Sequence, residues 1–530
     1  MVPPMMTEPL LETGRNCWRI APAARASVIV DADDYFRAAR AAMLKAQKQI
    51  LLVGWDFDAR IRFGGDVEDG APIRVGEFLS WLVRRTPGLH IHILRWDTGA
   101  IKTLFHARTL LRIAKWLRDP NIHFRLDAHH PPAGSHHQKV VVIDDDVAFC
   151  GGIDMTARRW DTRGHEDAEP RRVDPDGQPY GPWHDASTLL QGPVAAALGD
   201  MCRERWTISG GDPVAPVTQG ADCWPDGIEA DFTAVEVGIA RTVPEMADQQ
   251  PSHEIEDLYV DLIARAQKWV YAESQYFASR KVAEAIGKRL AEPDGPEFVI
   301  VHPVSAQGWL EPVAMDSARA RLVEALREGD PHGRLRLYHP FTAKGDPIYV
   351  HAKVTVVDDR VLRVGSSNFN NRSLRLDTEC DAVIDAGRDA NTQAVRAIAG
   401  IRNALLAEHL GTDCQTIEAM IERTGSLIET VETLRGEGRS LRPYEVPDLD
   451  EVRIWLADNK ILDPEGPGEM FEALSQRKPL LGRLKPHLHR PHLHRKDGSL
   501  SGGRVAGLAL LALGGALLLG KAAARTRKPD

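Results

Sequence analysis

The sequence predicts an α/β protein in which one mixed-sheet unit, flanked by helices, is built twice. Three observations carry this. Helical and short strand-like segments alternate along the chain. Their order in the first half returns in the second. A His-x-Lys-x4-Asp run occurs once in each half, at His137/Lys139/Asp144 and at His351/Lys353/Asp358. At 530 residues the chain is too long for one ordinary core, so two domains or more are expected.

The elements of the first half begin with Tyr35 to Gln49, whose apolar spacing and good helix formers predict an amphipathic helix. Ile50 to Val53 follows as a short buried strand, then His90 to Trp96 and Ile122 to Leu126. The second half repeats the plan with a helix over Ile255 to Lys268 and strands over Trp269 to Ala272, Phe298 to His302 and Leu335 to His339. Asn391 to Leu410 reads as a helix stopped by Gly411, and Ile417 to Arg435 as further helix. The expected boundaries are a first domain over 16–210, a Gly- and Pro-rich linker or insertion over 211–250, and a second domain over 251–412. A helical extension over 413–480 and a basic His-rich linker over 481–503 complete the chain, before an apolar run within 504–524.

Composition narrows the class. The net charge of −9 argues against a general nucleic-acid binder, which would usually be basic. Six scattered cysteines without a Cys-x-x-Cys pair indicate neither a disulfide framework nor a cysteine zinc site. The N-terminus has no basic start followed by an apolar run, so no secretory signal is read there. Val505 to Gly520 is an unbroken run of Val, Ala, Gly and Leu between Arg504 and Lys521. It is slightly short for a span of about 17–25 residues. With Lys521 snorkelling it reads as a C-terminal membrane anchor. The four histidines of the PHLHR repeat, from His487 to His494, lack the carboxylate or cysteine pattern of a metal site and read as linker.

The chemistry lies in the repeated motif. The runs VVVI and VTVV after the two lysines are strongly β-forming and look buried on both faces. Residues two apart on a strand share a face, so each histidine stands beside its lysine. A titratable nitrogen next to a fixed positive charge suits attack on a phosphate. Asp144 and Asp358 belong to the motifs and are grouped with the catalytic candidates. They fall on the opposite face at the strand end, however, where a turn or ion pair is the simpler role. Gly151 and Gly152 are expected to let backbone approach a ligand. Ser366 and Asn368 would add neutral donors for phosphate oxygens. Trp55, Asp56 and Asp58 follow the first strand and could line the pocket, although core packing suits Trp55 equally well.

These motifs resemble the phospholipase D superfamily, over about Asn16 to Gly411. Gly151-Gly152-Ile153-Asp154, Arg159-Trp160-Asp161, Trp183-His184-Asp185 and Glu273-Ser274-Gln275-Tyr276-Phe277 look like its eukaryotic-type branch. So do Gly365-Ser366-Ser367-Asn368, Asn371-Arg372-Ser373 and Asp377-Thr378-Glu379. The resemblance implies two phospholipase D-like domains about a pseudo-twofold axis, each giving one His-Lys pair to a shared site. It implies a covalent phosphohistidine, with His137 as nucleophile and His351 as acid and base. Asp185 and Glu379 are implied as the acids that orient the rings. Lys139, Lys353 and Asn368 would hold the phosphate oxygens. Asp154 stands where the second half has Asn368, and an ionised Asp cannot donate to phosphate, so the site should be asymmetric.

The resemblance implies hydrolysis of a phosphatidylcholine-like phospholipid to phosphatidic acid and the headgroup alcohol, with transfer to another alcohol open to the same intermediate. No metal or other cofactor is expected in this chemistry. The expected partner is a phospholipid membrane, met from its cytoplasmic side, with no nucleic acid. One chain carries both motifs, so a monomer would suffice. The rival readings are a phosphatidyltransferase of the cardiolipin synthase type, a nuclease, and a catalytically silent lipid-binding protein.

Overall fold

The computed structural model of the protein describes residues 8–447, apart from 65–68, 98–115, 117, 133, 219 and 307–310. The apolar run, the PHLHR repeat and the part of the helical extension beyond 447 lie outside these residues. Among the described residues, no helix is long and apolar enough to cross a membrane.

The first half runs β1 (Arg19–Val30), α1 (Ala32–Lys45), β2 (Gln49–Gly54), α2 (Val75–Arg85), β3 (His90–Trp96), β4 (Ile122–Asp127), β5 (Val140–Ile143), β6 (Val147–Gly151), β7 (Trp183–His184), β8 (Ala186–Gln191) and α3 (Pro193–Ile208). The second runs β9 (Phe232–Val243), β10 (Ser252–His253), α4 (Glu254–Arg265), β11 (Trp269–Glu273), α5 (Arg280–Leu290), β12 (Glu297–Val301), α6 (Glu311–Glu328), β13 (Leu335–Phe341), β14 (Tyr349–Val350), β15 (Val354–Val357), β16 (Val361–Gly365) and β17 (Glu379–Asp385). It closes with α7 (Val395–Leu410), α8 (Cys414–Thr424), α9 (Leu427–Leu434) and β18 (Ser440–Pro443).

The two halves share one continuous sheet. Its order is β18-β13-β12-β11-β15-β16-β17-β9-β1-β8-β6-β5-β2-β3-β4, which reads the same way outward from the antiparallel β9–β1 pair in both directions, apart from β18 at one edge. β18 aside, the three strands farthest from that pair in each half are mutually parallel, and the motif hairpin, β5–β6 or β15–β16, lies antiparallel beside them. Strand periodicity divides the side chains between two faces. Leu51, Val53, Val140 and Val142 join a core that spans both halves and is closed by α3 and α7. Ile50, Leu52, Val141 and Ile143 face the other way, into a core closed by α1 and α2. The corresponding core of the second half is closed by α4 and α5.

The segment 211–250, expected as a linker, holds the 12-residue strand β9 at the centre of the sheet. Its alternation is interrupted at Ala234, a non-glycine residue with φ 51°, where the ladder to β1 skips one pair without a change of register. Its partner β1 lies some two hundred residues earlier, so no hairpin signal marks it. The helix expected over Asn391 to Leu410 begins at Val395, after a 3-10 turn over Asp389–Ala394, and ends at Gly411 with φ 62°. All six cysteines are free thiols.

Asp144 and Asp358 are turn residues and stand away from the motif histidines, contrary to their grouping with the catalytic candidates. Asp144 and Asp145 both have φ 52°, and Asp146 N–H donates to the Ile143 carbonyl at 3.0 Å, the geometry of a two-residue I′ turn. The Asp144 carboxylate then accepts the N–H groups of Gln47, Lys48 and Gln49 at 2.7, 2.9 and 2.7 Å, strapping the α1–β2 turn to the motif hairpin. Asp358, with φ 51°, does the same for Gln267, Lys268 and Trp269 at 2.7, 2.8 and 2.9 Å. Replacing Asp144 by Ala strands these donors, so urea unfolding should show a loss of about 2–4 kcal/mol. Turnover per folded molecule should stay within about threefold, because no transition-state contact is removed. A stable variant with abolished turnover would return this aspartate to the chemistry.

Candidate active site

The segments that lead into the two motifs are hydrogen-bonded to the opposite half. In the first half, His136 bridges Thr378: His137 N–H donates to the Thr378 carbonyl at 3.0 Å, and Thr378 N–H to that of Ser135 at 3.0 Å. In the second, β14 runs parallel to β7, pairing Tyr349 with Trp183 and Val350 with His184, and His351 N–H donates to the His184 carbonyl at 2.7 Å. Each pairing sets the next residue of one half, an acid, beside the histidine of the other.

The side chains complete this exchange. His137 Nδ1 lies 2.9 Å from both oxygens of Glu379. His351 Nδ1 lies 2.7 Å from Asp185 Oδ2. Each ring therefore has its Nδ1 occupied and its Nε2 left for other work. Neither motif histidine takes its acid from its own half. The Ser366 hydroxyl donates to Glu379, so Ser366 supports the acid rather than offering a donor to substrate.

The glycines serve this packing too. A side chain at Gly151 would meet Ser187 Cα at 2.3 Å, and one at Gly152 would meet Asp185 Oδ1 at 2.1 Å. The space expected for a ligand is filled by β8 and by the acid that holds His351.

The lysines differ. Lys139 Nζ donates to the His137 carbonyl at 3.0 Å and pairs with Asp154 at 3.2 Å. Asp154 also accepts the N–H groups of Trp55 and Asp56 at 3.1 and 3.3 Å. Lys353 Nζ donates to the His351 carbonyl and to the neutral amide of Gln275. Buried Asn368, at the position corresponding to Asp154, has an Oδ1 without a hydrogen-bond partner. The asymmetry expected from Asp154 is thus present as one lysine fixed to a carboxylate and one beside an amide.

Burial and mutual charge set the protonation of the group. Burial pushes both His137 and His351 well below 6.5, and the nearby lysines push them further. The charge of Lys353 reaches His137, and that of Lys139 reaches His351, so the two motifs form one electrostatic unit. Burial lowers Lys353 to about 7, with Asp185 opposing and Lys139 assisting. Burial raises Glu379 to about 7, against the pull of Lys139.

Sequence reading missed two neighbours. Trp183 packs against the His351 ring at 5.2 Å, and the Arg159 guanidinium lies 4.3 Å over the Trp183 ring. Both stand in motifs quoted for the family resemblance, but neither residue type announces a role. Trp55 lies edge-on to His137 at 6.4 Å and stacks on Trp96. Asp56 and Asp58 are engaged by Arg95 and Arg60, respectively.

A family model described as phospholipase D matches residues 42–223, and one described as cardiolipin synthase, PLD-like domain, matches residues 259–399. Each takes one of the duplicated halves, and together they cover more than half of the chain. The chain belongs to the phospholipase D superfamily. It is similar to phospholipase D alpha 1 of Vigna unguiculata, with 26% identity over 374 residues, 50% of this chain and 46% of that one. The protein of that name from Brassica oleracea var. capitata is 24% identical over 515 residues, 70% of this chain and 63% of the other. The chain spans about half the length of most of the curated relatives it matches. Among solved structures, phosphatidylserine synthase of Haemophilus influenzae Rd KW20 shares the fold, with a TM-score of 0.51, 15% identity and coverage of 78% of this chain and 96% of that one.

The protonation pattern yields a test. Lys353 is charged below about 7 and loses its proton as the pH rises through that value. Affinity for a soluble phosphonate monoanion should therefore fall severalfold between pH 7 and pH 8.5 by calorimetry. Lys353→Arg, which keeps its charge, should flatten the profile. A pH-independent affinity in the wild type would contradict the role of Lys353.

Proposed function

We propose that the protein hydrolyses phosphatidylcholine-like phospholipids to phosphatidic acid and the free headgroup alcohol. The observation that carries this reading is the pair of histidines with Nδ1 held by a carboxylate and Nε2 free, each beside a lysine. His137 Nε2 attacks phosphorus while His351 gives its proton to the leaving headgroup oxygen. A P–N bond forms and the P–O bond to the headgroup breaks. Water then loses a proton to His351 and attacks phosphorus, breaking the P–N bond and releasing phosphatidic acid. Lys139, Lys353 and Asn368 hold the non-bridging oxygens as charge gathers on them. The depressed basicity of His137 keeps the nucleophile neutral, and the anionic diester supplies the negative charge that favours protonated His351.

The relatives named phospholipase D alpha 1 support the hydrolytic reading. A primary alcohol in place of water gives transphosphatidylation from the same intermediate. The match of the second half to a cardiolipin synthase-type model favours one alternative, in which a lipid alcohol is the physiological acceptor. The substrate places the enzyme at a phospholipid membrane, on its cytoplasmic side, with the apolar C-terminal run as its anchor. Both motifs lie in one chain, so a monomer carries the whole site.

Headgroup release from choline-labelled vesicles, with lipid products followed by mass spectrometry, tests this. Wild type should release choline and phosphatidic acid, and should form phosphatidylethanol when ethanol is added. His137→Ala and His351→Ala should each lower turnover by about a thousandfold or more. Undiminished turnover in either variant would remove the site. Turnover seen only with a lipid alcohol would favour the transferase.

A further inference from the structure

Next to the His351 pair, four buried side chains from separate stretches of the chain converge: Asp31, His165, His184 and Glu408. His165 Nε2 lies 3.1 Å from Glu408 Oε1 and 3.4 Å from Asp31 Oδ2. His184 Nδ1 lies 2.8 Å from Glu408 Oε1 and 3.3 Å from Asp31 Oδ1. A four-coordinate zinc ion with bonds of about 2.0–2.1 Å to nitrogen and oxygen has ligand–ligand edges of roughly 3.3 Å. The two edges to Glu408 Oε1, and those from the two rings to the nearer Asp31 oxygens, lie near that value, and one ligand atom from each residue falls within 4.8 Å of the others.

A second observation points the same way. His184 Nδ1 and Asp31 Oδ2 are fully buried and make no aligned hydrogen bond, although carboxylate and imidazole atoms stand within 3.5 Å of each. Buried polar atoms without an aligned partner call for an explanation, and an ion at their common centre supplies one. The other ring nitrogens are arranged as metal-bound histidines require. His165 Nδ1 lies 3.0 Å from Asp161, and His184 Nε2 lies 2.9 Å from Glu273. The remaining Glu408 oxygen pairs with Arg163 at 2.7 Å. Asp31 is held at φ 65°, a conformation its side chain does not favour, and such strain gathers at functional positions.

Charge balance agrees. Asp31, Asp161, Glu273 and Glu408 bring four negative charges, and Arg163 and Arg172 bring two positive ones. One divalent ion with neutral imidazoles closes the balance, as would protons on both His165 and His184. Two imidazoles with two carboxylates favour zinc over magnesium or calcium, which take oxygen ligands.

We propose that Asp31, His165, His184 and Glu408 bind one zinc ion in a closed, structural site. The ion ties helix α7, through Glu408, to the first half. It also positions an active-site acid: Asp31 N–H donates to the Asp185 carbonyl at 2.8 Å, and the Asp31 carboxylate accepts Asp185 N–H at 3.0 Å. The site takes no part in phosphoryl chemistry, which rests on the histidines and lysines. It was not legible in the sequence because its ligands are scattered and none is a cysteine.

The test is elemental analysis of the full-length protein purified without chelator, combined with thermal melting. About one equivalent of zinc per chain is expected in the wild type, and less than about a tenth in Glu408→Gln, with His339→Ala retaining the full amount. Should Glu408→Gln fail to fold, the wild type alone decides. Dipicolinate should lower its melting temperature by several degrees, and added zinc should restore it. Substoichiometric metal together with a melting temperature indifferent to chelator and zinc would overturn the site and leave a protonated imidazole–carboxylate network. One equivalent of a different metal would overturn the assignment to zinc.

Discussion

The structure turns on an exchange of carboxylates between its two halves. Glu379 of the second half holds the histidine of the first, and Asp185 of the first holds that of the second. The backbone makes this exchange before the side chains do, through the pairing of His136 with Thr378 and of Val350 with His184. Neither half can therefore assemble a working ring alone. The continuous sheet across β9 and β1 follows from the same demand, since two freely moving domains could not hold Nδ1 contacts of 2.7–2.9 Å across their boundary.

Burial then decides the chemistry. His137 is half-buried, and His351, the two lysines and the two acids are buried, in an interior where isolated charge is costly. The group responds by leaving the rings neutral, lowering Lys353 and raising Glu379. In the proposed reaction an arriving phosphodiester brings negative charge to these basic nitrogens. Substrate binding and protonation of the acid are thus one event, which suits a displacement that needs a neutral nucleophile and a charged acid at once.

Much of this was readable before any coordinates. The duplicated order of helix and strand located α1, α4 and the parallel strands within a few residues, because local apolar periodicity determines those elements. The repeated His-x-Lys located the site, because two copies at fixed spacing have no simpler cause. What escaped depends on distant partners. β9 looked like linker because its alternation is irregular around Ala234 and β1 is far off in sequence. Gly151, Gly152 and Ser366 looked like substrate contacts because sequence shows the smallness or polarity of a residue but not its neighbour. Those neighbours are Ser187, Asp185 and Glu379. Asp144 and Asp358, grouped with the motif's catalytic candidates, have the turn role that their place at the strand end suggested, and only their straps to the preceding helix–strand turn escaped.

The proposed mechanism has His137 attack phosphorus, with His351 serving the departure of the leaving group and the hydrolysis of the phosphohistidine. It is tested most directly by rapid quench under alkaline conditions, with peptide mass spectrometry, of His351→Asn exposed to a short-chain phosphatidyl ester of p-nitrophenol. That leaving group needs no proton, so the first step survives and the second stalls. A phosphatidyl mass accumulating on His137 toward about one per chain is the predicted result. Release of p-nitrophenol with the label absent from His137, or carried by a residue outside the two motifs, would contradict the account.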